Sequence, residues 1–356
     1  MFTTQPLSVS VTGGTVALDA VATNSPTYQW MLNGTAVTGA TDSTILITDA
    51  ASNAGTYTCV ATNPDGTATS SSATVSIVAT SDPGRLINLS CRAQVDTGGE
   101  ILIGGFAIGG VGTAGTEPVL IRASGPALAQ FGVTGTLPDP KLQLFSGSTV
   151  LASNTGWAGN PTITSTAAAV GAFAWTNANS LDSALVESLS GGPYTAQVSG
   201  DSGDTGVALM EVYDATPAAK YVAGTSPRLV NLAARVEVGT GAGSAAGFVI
   251  RGSSALTVLI RASGPALASF GLTGTLPDPD LTLDPATGAA IATNTAWGGS
   301  TEISTAAVSV GAFAWGTASS HDSALLITLP PGAYTANVVG ASGDTGVALI
   351  EVYEVP

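Results

Sequence analysis

Charge is the scarcest property of this sequence. Only 9% of the 356 residues are Asp, Glu, Lys or Arg, against about 25% in an average soluble domain. Nine Lys and Arg stand against 24 Asp and Glu, which gives a formal net charge of −15. Because nucleic acids and anionic membrane surfaces are bound through Lys and Arg, this balance argues against both as partners. A surface with so little charge is also weakly protected against self-association.

Long apolar runs and histidines are equally scarce. No uninterrupted apolar run reaches the ~18 residues of a membrane-spanning helix, so membrane insertion is not expected. A zinc site or a Ser–His–acid site would depend on the single histidine, His321. The sequence therefore predicts neither an enzyme nor a cofactor. No basic and apolar leader follows Met1, and we expect the chain to be exported with its signal peptide already removed.

An internal repeat is the strongest pattern in the chain. VLIRASGPALAQFGVTGTLPDP at 119–140 recurs as VLIRASGPALASFGLTGTLPDP at 258–279. The segment SGDTGVALMEVYD likewise recurs as SGDTGVALIEVYE near the C-terminus. Stretches rich in Pro, Gly, Ser and Ala separate the copies, as linkers do. We therefore predict three domains, 1–79, 84–214 and 224–356, of which the last two are copies of one unit.

Each repeat is predicted to be mostly β-sheet, because its segments alternate or are rich in β-branched residues. One short helix should begin near Pro126, since proline is favoured in the first turn of a helix, and another should span 164–170. Two packed sheets in a jelly-roll-like sandwich are the simplest arrangement. The predicted fold class is therefore all-β, with three tandem β-sandwich domains. The strands expected in the first repeat are 86–95, 101–108, 118–123, 141–152, 183–189, 194–199 and 206–213.

Residues 1–79 contain short alternating segments about 8–12 residues apart, a spacing typical of a β-sandwich. Trp30 lies in YQW, and Tyr57 and Cys59 lie in NAGTYTC. These motifs resemble the core tryptophan and the D-x-G-x-Y-x-C signature of immunoglobulin-like domains. The resemblance implies that Trp30, Tyr57 and Cys59 belong to the core of such a domain. The family's strand-B cysteine is missing, so its disulfide is not expected.

The repeat unit has its own resemblances. It resembles the repeated domains near the C-termini of large secreted proteins of environmental bacteria. Its second half, with LQLFSGSTVLASN and GVALMEVY, is similar to the bacterial pre-peptidase C-terminal domain. Both resemblances imply an extracellular or cell-surface β-sandwich, and neither supplies a catalytic set of residues.

The two cysteines of an exported protein raise the question of a disulfide. Cys59 shares the core face of its strand with Tyr57, and Cys91 continues an apolar alternation that starts at Ile87. Because these faces belong to separate domain cores, we expect two buried free thiols. A cross-link between domains or subunits is the alternative.

Charges that recur in both repeats are the main candidates for a site. Arg122 and Glu211 lie inside apolar strands, where a charge must be paired to be tolerated. We expect structural salt bridges or carboxylate–backbone hydrogen bonds, with a binding site in each copy as the alternative. The matched charges are Arg92, Arg122, Asp139, Asp182 and Glu211 in the first repeat and Arg235, Arg261, Asp278, Asp322 and Glu351 in the second.

Two further features of the sequence invite comparison with ligand sites. Trp157 and Trp297 lie in the matching loops NTGWAGN and NTAWGGS, where an aromatic ring can stack on a sugar; packing in the core or as a loop anchor is the alternative. The segment DSGDTG at 201–206 lacks the D-x-D-x-D-G spacing of a calcium loop, so we expect a turn and no metal site.

These observations favour an extracellular structural or adhesive protein, as a subunit or segment of a self-associating surface filament, sheath or stalk. A homo-oligomer or polymer is expected, joined through β-sheet edges or low-charge faces, and PLSVSV at 6–11 is one candidate edge. The alternative is a polysaccharide- or cell-surface-binding module of a larger secreted protein. An enzyme would require two close carboxylates at the same place in both repeats.

Overall fold

The computed structural model describes residues 1–24, 26–239 and 244–356. Strands dominate throughout, so the prediction of an all-β protein with sandwich sheets is confirmed. Within the described residues, no helix combines the length and the apolar character needed to cross a membrane. The N-terminal strands are β1 Val9–Val11, β2 Val16–Asp19, β3 Thr27–Leu32, β4 Thr35–Ala36, β5 Thr44–Ile47, β6 Gly55–Asn63, β7 Gly66–Thr69 and β8 Ala73–Ile77.

The two repeats follow the same order of elements. The first contains β9 Arg85–Val95, β10 Leu102–Gly109, β11 Thr116–Ser124, β12 Pro140–Ser146, β13 Thr149–Asn154, α1 Pro161–Val170, β14 Ser183–Ser190, β15 Gly192–Gly200 and β16 Gly206–Asp214. The second contains β17 Arg228–Val238, β18 Ser244–Arg251, β19 Leu256–Ser263, β20 Pro279–Pro285, β21 Ala292–Asn294, α2 Thr301–Ser309, β22 Ser323–Leu329, β23 Gly332–Gly340 and β24 Gly346–Glu354. Short 3₁₀ helices span Pro126–Phe131, Ala218–Lys220, Pro265–Phe270 and Ala341–Gly343.

Local chemistry explains where the predicted elements differ from the observed ones. The helix expected near Pro126 is a 3₁₀ helix that ends at Gly132 in a left-handed conformation. The strand expected over 141–152 is a hairpin, because Gly147 has a φ of 58° and reverses the chain. Helix α1 begins three residues earlier than expected, where the Asn160 side chain accepts a hydrogen bond of 2.9 Å from the Thr162 amide.

The N-terminal strands form two sheets that face each other. One has the order β1-β8-β6-β3-β4 with β7 beside β6, and the other pairs β2 with β5. Trp30 and Tyr57 are buried between them, with exposures of 0% and 1%. The last three residues of the candidate edge PLSVSV form β1, which pairs in parallel with β8 of the same domain.

The two repeats share their sheets. In the first sheet, β14-β11-β16-β9 of the first repeat continues directly into β18-β23-β20-β21 of the second. In the other sheet, β22-β19-β24-β17 of the second repeat continues into β10-β15-β12-β13 of the first. A single cluster of buried apolar side chains accordingly contains residues of both repeats. The repeats are therefore joined through their core as well as through their linker.

The pairing between repeats is reciprocal. Phe248 of β18 lies opposite Leu89 of β9, and Phe106 of β10 lies opposite Leu232 of β17. These are matching positions of the repeat, so each copy gives the other the same pair of strands. Reciprocal contact of this kind is the hallmark of a two-fold interface. The tandem repeat is thus organised as a dimer within one chain.

A bulge changes which face of β9 is buried. The pairing of β9 with β18 skips Ile87, so that Leu86 lies opposite Ile250 and Asn88 lies opposite Val249. Such an extra residue reverses the inward and outward alternation on one side of it. The predicted alternation therefore holds from Leu89 through Cys91 but not at Ile87, whose place in the core is taken by Leu86.

The N-terminal domain docks on the second repeat. The Ala17 amide donates a buried hydrogen bond of 2.8 Å to the Thr328 hydroxyl. The Thr257 hydroxyl lies 2.7 Å from that of Thr328 and donates to the Thr15 carbonyl at 2.5 Å. Ala17 is fully buried in an apolar cluster with residues of β19, β22 and α2. This polar and apolar contact fixes the domain against the outer face of the shared sheet.

Candidate functional site

A buried ion pair joins Arg122 of β11 to Glu211 of β16. The two residues are direct neighbours across the strands, with 3.5 Å between Nη1 and Oε2 and side-chain exposures of 1% and 5%. The Tyr213 hydroxyl donates to Glu211 Oε1 at 2.6 Å. Burial raises the pKa of the Glu211 carboxyl and lowers the pKa of the Arg122 guanidinium. Each charge is thus tolerated only because the other is beside it.

Aromatic rings enclose the Arg122 guanidinium. Its Cζ lies 4.4 Å from the ring centre of Phe173 and 4.3 Å from that of Trp175, within the range of cation–π attraction. The Trp175 indole donates to the Ser124 hydroxyl at 3.1 Å. Outside this shell, the ring of Phe131 meets Phe173 edge to face, with 5.0 Å between centroids. The cluster therefore runs from a buried charge to a surface ring.

The second repeat reproduces this cluster. Arg261 Nε lies 3.6 Å from Glu351 Oε2, and both side chains are buried. The Arg261 Cζ lies 4.3 Å from the ring centre of Phe313 and 4.4 Å from that of Trp315. The ring centres of Phe270 and Phe313 are 5.0 Å apart. The two ion pairs are of the kind expected from the matched charges.

The carboxylates of Asp182 and Asp322 bind backbone instead of a cation. Asp182 Oδ1 accepts hydrogen bonds from the Gly125 amide at 2.7 Å and the Ala127 amide at 3.2 Å. Asp322 makes the same pair of bonds, at the same distances, in the second repeat. A side chain at Gly125 would come within 2.1 Å of the Leu137 carbonyl oxygen, so only glycine fits there. Asp182 thereby fixes the start of the 3₁₀ helix that carries Phe131, and Asp322 fixes the start of the one that carries Phe270.

Four of the matched charges form no arginine–carboxylate pair within the described residues, and the expectation of a salt bridge or a carboxylate–backbone hydrogen bond is not met at Arg92 and Arg235. Asp139 accepts from the Ser202 amide at 3.2 Å, and Asp278 lies 3.0 Å from the ring nitrogen of His321. Arg235 donates to the Gly99 carbonyl at 2.6 Å. Arg92 is exposed and has no ion pair or side-chain hydrogen bond within the described ranges. The exposed Arg92 side chain projects from the outer face of the sheet, where water replaces a charged partner. The four residues are Asp139, Asp278, Arg92 and Arg235.

A separate charged cluster surrounds Arg85 at the start of β9. Arg85 forms an ion pair with Asp82, its Nε lies 3.7 Å from Asp214 Oδ2, and Tyr221 stacks 3.8 Å from its guanidinium. Glu117 is 1% exposed and lies beside Asp214. Burial first, and then the negative charge of Asp214, raise the pKa of Glu117 to about 9. Glu117 therefore retains its proton at neutral pH.

Both cysteines are buried and free. Cys59 belongs to the core of the N-terminal domain, and Cys91 belongs to the core shared by the repeats. Burial raises the pKa of each thiol to about 12. Both side chains thus occupy the positions of small apolar residues.

The candidate stacking tryptophans are packed against the protein. Trp157 is only 6% exposed and meets Trp175 edge to face, with 5.5 Å between ring centroids. Trp297 is partly buried and meets Trp315 in the same way, with 5.4 Å between ring centroids. The ligand-stacking interpretation is therefore wrong for Trp157 and unsupported for Trp297. The exposed aromatics are instead Phe131 and Phe270, at 60% and 59%. The sequence could have indicated these two rings, because each ends the same motif in its repeat, GPALAQF in the first and GPALASF in the second.

No group of three or more His, Cys, Asp and Glu side chains is placed to hold a metal ion in the part of the chain that the structure describes. The segment considered as a calcium loop is a turn between β15 and β16. Within it, Asp201 pairs with Lys141 at 3.5 Å, and both side chains are partly exposed.

The N-terminal geometry has a counterpart among known families. The Tyr57 hydroxyl donates to the Asn53 carbonyl at 2.7 Å, closing a corner beside the buried Trp30. The family model described as immunoglobulin domain matches residues 1–63. This segment is an immunoglobulin-like domain. No curated protein matches the sequence.

Solved structures with several immunoglobulin domains are similar to the chain. The N-terminal Ig1-2 module of the Drosophila receptor protein tyrosine phosphatase DLAR is 17% identical, with 59% of this chain and 95% of that one covered and a TM-score of 0.21. Immunoglobulin domains 1-4 of Sidekick-1 are 11% identical, with 98% of this chain and 72% of that one covered and a TM-score of 0.20. The N-terminal eight Ig domains of Down Syndrome Cell Adhesion Molecule are 11% identical, with 97% of this chain and 47% of that one covered and a TM-score of 0.19.

Proposed function

We propose that this chain is an extracellular structural or adhesive protein without catalytic activity. In this role it is a segment of a self-associating surface filament, sheath or stalk. The observation that carries the proposal is the sharing of both sheets between the repeats. Flexible linkers normally leave tandem domains free to move, whereas here β9 with β18 and β10 with β17 are hydrogen-bonded across the repeats. A unit built this way is held together by backbone hydrogen bonds between its repeats as well as by its linker.

The edge strand β13 supports self-association. It pairs only with β12 within the described residues. Its sequence, TVLASN, has no charge and no proline, the features that protect natural edges. Val150 and Leu151 are 47% and 48% exposed. The corresponding β21 of the second repeat is only three residues long, so the first repeat presents the more adhesive edge to a second copy of the chain.

Electron microscopy and light scattering at neutral pH test this proposal. We expect ordered fibres or discrete oligomers, and we expect Val150→Lys to abolish them by placing a charge on the edge. The matched control is Ala290→Lys, which places the same charge at the equivalent exposed position of the second repeat. A protein that remains monomeric at high concentration refutes self-association, and assembly that survives Val150→Lys refutes the assignment of this edge.

Attachment to polysaccharide is the second candidate function. Packing of Trp157 against Trp175 removes the stacking site expected from the loop sequence. The exposed rings of Phe131 and Phe270 favour this function on different grounds, because a large aromatic surface left in water at matching positions is typical of a binding surface.

A further inference from the structure

An open groove crosses the outer face of the first shared sheet. It has a volume of about 1160 Å³, and its floor is formed by β16, β9, β18 and β23, where strands of the two repeats meet. Phe131 and Phe173 form its wall. Four strands span about 14 Å at the usual strand separation. The groove is thus wide enough for a short run of sugar rings.

The wall presents a ring held in a fixed orientation. Phe131 is 60% exposed, yet its edge-to-face contact with Phe173 and the stacking of Phe173 on Arg122 restrain it from behind. Asp182 fixes the start of the 3₁₀ helix that carries Phe131. A pre-positioned ring loses little conformational freedom when a ligand stacks on it.

The floor offers hydrogen-bond donors and acceptors. Arg92 lies in register between Leu209 and Ala245, so its guanidinium rises between small and apolar neighbours. Gln94 is exposed two residues further along β9. Asn337 lines the opposite side, where its amide already donates to Asp284 Oδ2 at 2.6 Å and leaves its carbonyl oxygen as an acceptor. The charged lining residues, Arg92 and Glu237, cancel each other. Such a groove is neutral within a chain of net charge −15.

We propose that this groove binds a neutral polysaccharide. The proposal rests on the second candidate function and gives that function a site. The C–H face of a sugar ring stacks on an aromatic ring, a role that Phe131 fits, while sugar hydroxyls hydrogen-bond to Arg92 and Gln94. A polyanion would meet a single cation in the groove and a strongly negative protein around it, so charge favours an uncharged chain.

The second repeat provides a matched control. Phe270 is 59% exposed, against 60% for Phe131, but it does not line the groove. The residues that correspond in the second repeat to Ser90 and Gln94 are Ala233 and Glu237. Arg235 there is already engaged by a backbone carbonyl. Removing the Phe270 ring therefore changes the same local packing without changing the proposed site.

The test is binding of the full chain to an array of neutral polysaccharides, followed by titration calorimetry with the best soluble hit. We expect Phe131→Ala to weaken binding about tenfold, the usual effect of one lost stacking contact, and Phe270→Ala to change it less than twofold. Arg92→Ala should also weaken binding, and added salt should have little effect because the ligand is uncharged.

Several results would overturn the proposal. These are no retention of any neutral polysaccharide, equal losses in the two phenylalanine variants, and binding confined to polyanions at low salt. The assembly assay is independent of the groove, so fibres without glycan binding refute only the groove, and glycan binding by a monomer refutes only self-association. Thermal unfolding of both variants verifies that each is folded.

Discussion

A fragment that contains one repeat should not form a stable monomer. Residues 84–223 keep the first repeat and its linker but remove β17 and β18, the partners of β10 and β9. Seven residue pairs join β10 to β17, and another seven join β9 to β18. The fragment would therefore expose two adjacent strand edges and half of a shared apolar core.

The loss can be estimated from these ladders. At roughly one hydrogen bond per residue pair and about 0.5–1.5 kcal/mol for each, the missing pairs are worth on the order of 10 kcal/mol. That is comparable with the whole stability of an ordinary domain, about 5–15 kcal/mol. The fragment can recover this free energy by pairing β9 with β10 of a second fragment, because Phe106 and Phe248 are matching residues at this junction.

We expect size-exclusion chromatography with light scattering to give a dimer at micromolar concentration. Circular dichroism should show that unfolding of the dimer depends on protein concentration, as mass action requires. The full chain carrying Val150→Lys, with both repeats in place and the proposed assembly edge blocked, is the control and should unfold independently of concentration. A folded monomeric fragment as stable as the full chain would refute the reasoning, since it would mean that β9 and β10 close on each other.

Three further outcomes follow from the buried charges and thiols. Glu211→Gln should destabilise the protein by about 3–5 kcal/mol in urea unfolding, because Arg122 becomes an unpaired buried charge; Asp201→Asn, in a partly exposed pair, should cost under about 1 kcal/mol. The pKa of Glu117 is about 9 in the folded protein against 4.5 ordinarily, so the folded state binds this proton more tightly and wild-type stability should fall as pH rises from 4.5 to 9. Glu117→Gln should flatten that decline in unfolding measured at several pH values, and an unchanged slope would contradict it. Both cysteines should resist a thiol reagent in the folded protein and react fully in denaturant; rapid reaction of either in the native state would show that it is accessible.

The sequence predicted most of the strands of the repeats but not how the repeats join. The strand expected over 206–213 is β16 at Gly206–Asp214, and the one over 86–95 is β9 at Arg85–Val95. Alternation identifies which side chains face a core. It does not identify the strand across the ladder, because Leu89 would be buried equally well against its own repeat or the other. The shared sheets could therefore be seen only in three dimensions.

The contacts of the candidate site could be predicted from the sequence only where burial of a charged side chain requires an ionic partner. Arg122 inside an apolar strand requires a counter-charge, and the matched Glu211 supplies it. For Arg92 no such constraint exists, since it projects from the outer face of the same kind of strand. Sequence alone gave both arginines the same interpretation. Likewise, Trp157 and Phe131 both lie outside regular strands, and only packing distinguishes the buried ring from the exposed one.

Differences between the repeats indicate how their roles divide. Residues shared by both copies, such as the buried arginine–glutamate pair, maintain the common architecture. Residues that differ face what each repeat alone contacts: Thr257 donates to Thr15 of the immunoglobulin-like domain, whereas the matching Pro118 has no hydroxyl to donate. On the opposite sheet, the matched arginines differ only in their contacts: Arg235 binds a backbone carbonyl, whereas Arg92 has no side-chain partner among the described residues. Each of these contacts is present in one repeat and missing from the other, so the second repeat holds the N-terminal domain and the first keeps an accessible groove and edge. This division makes the two faces separable by mutation, even though the repeats share both sheets.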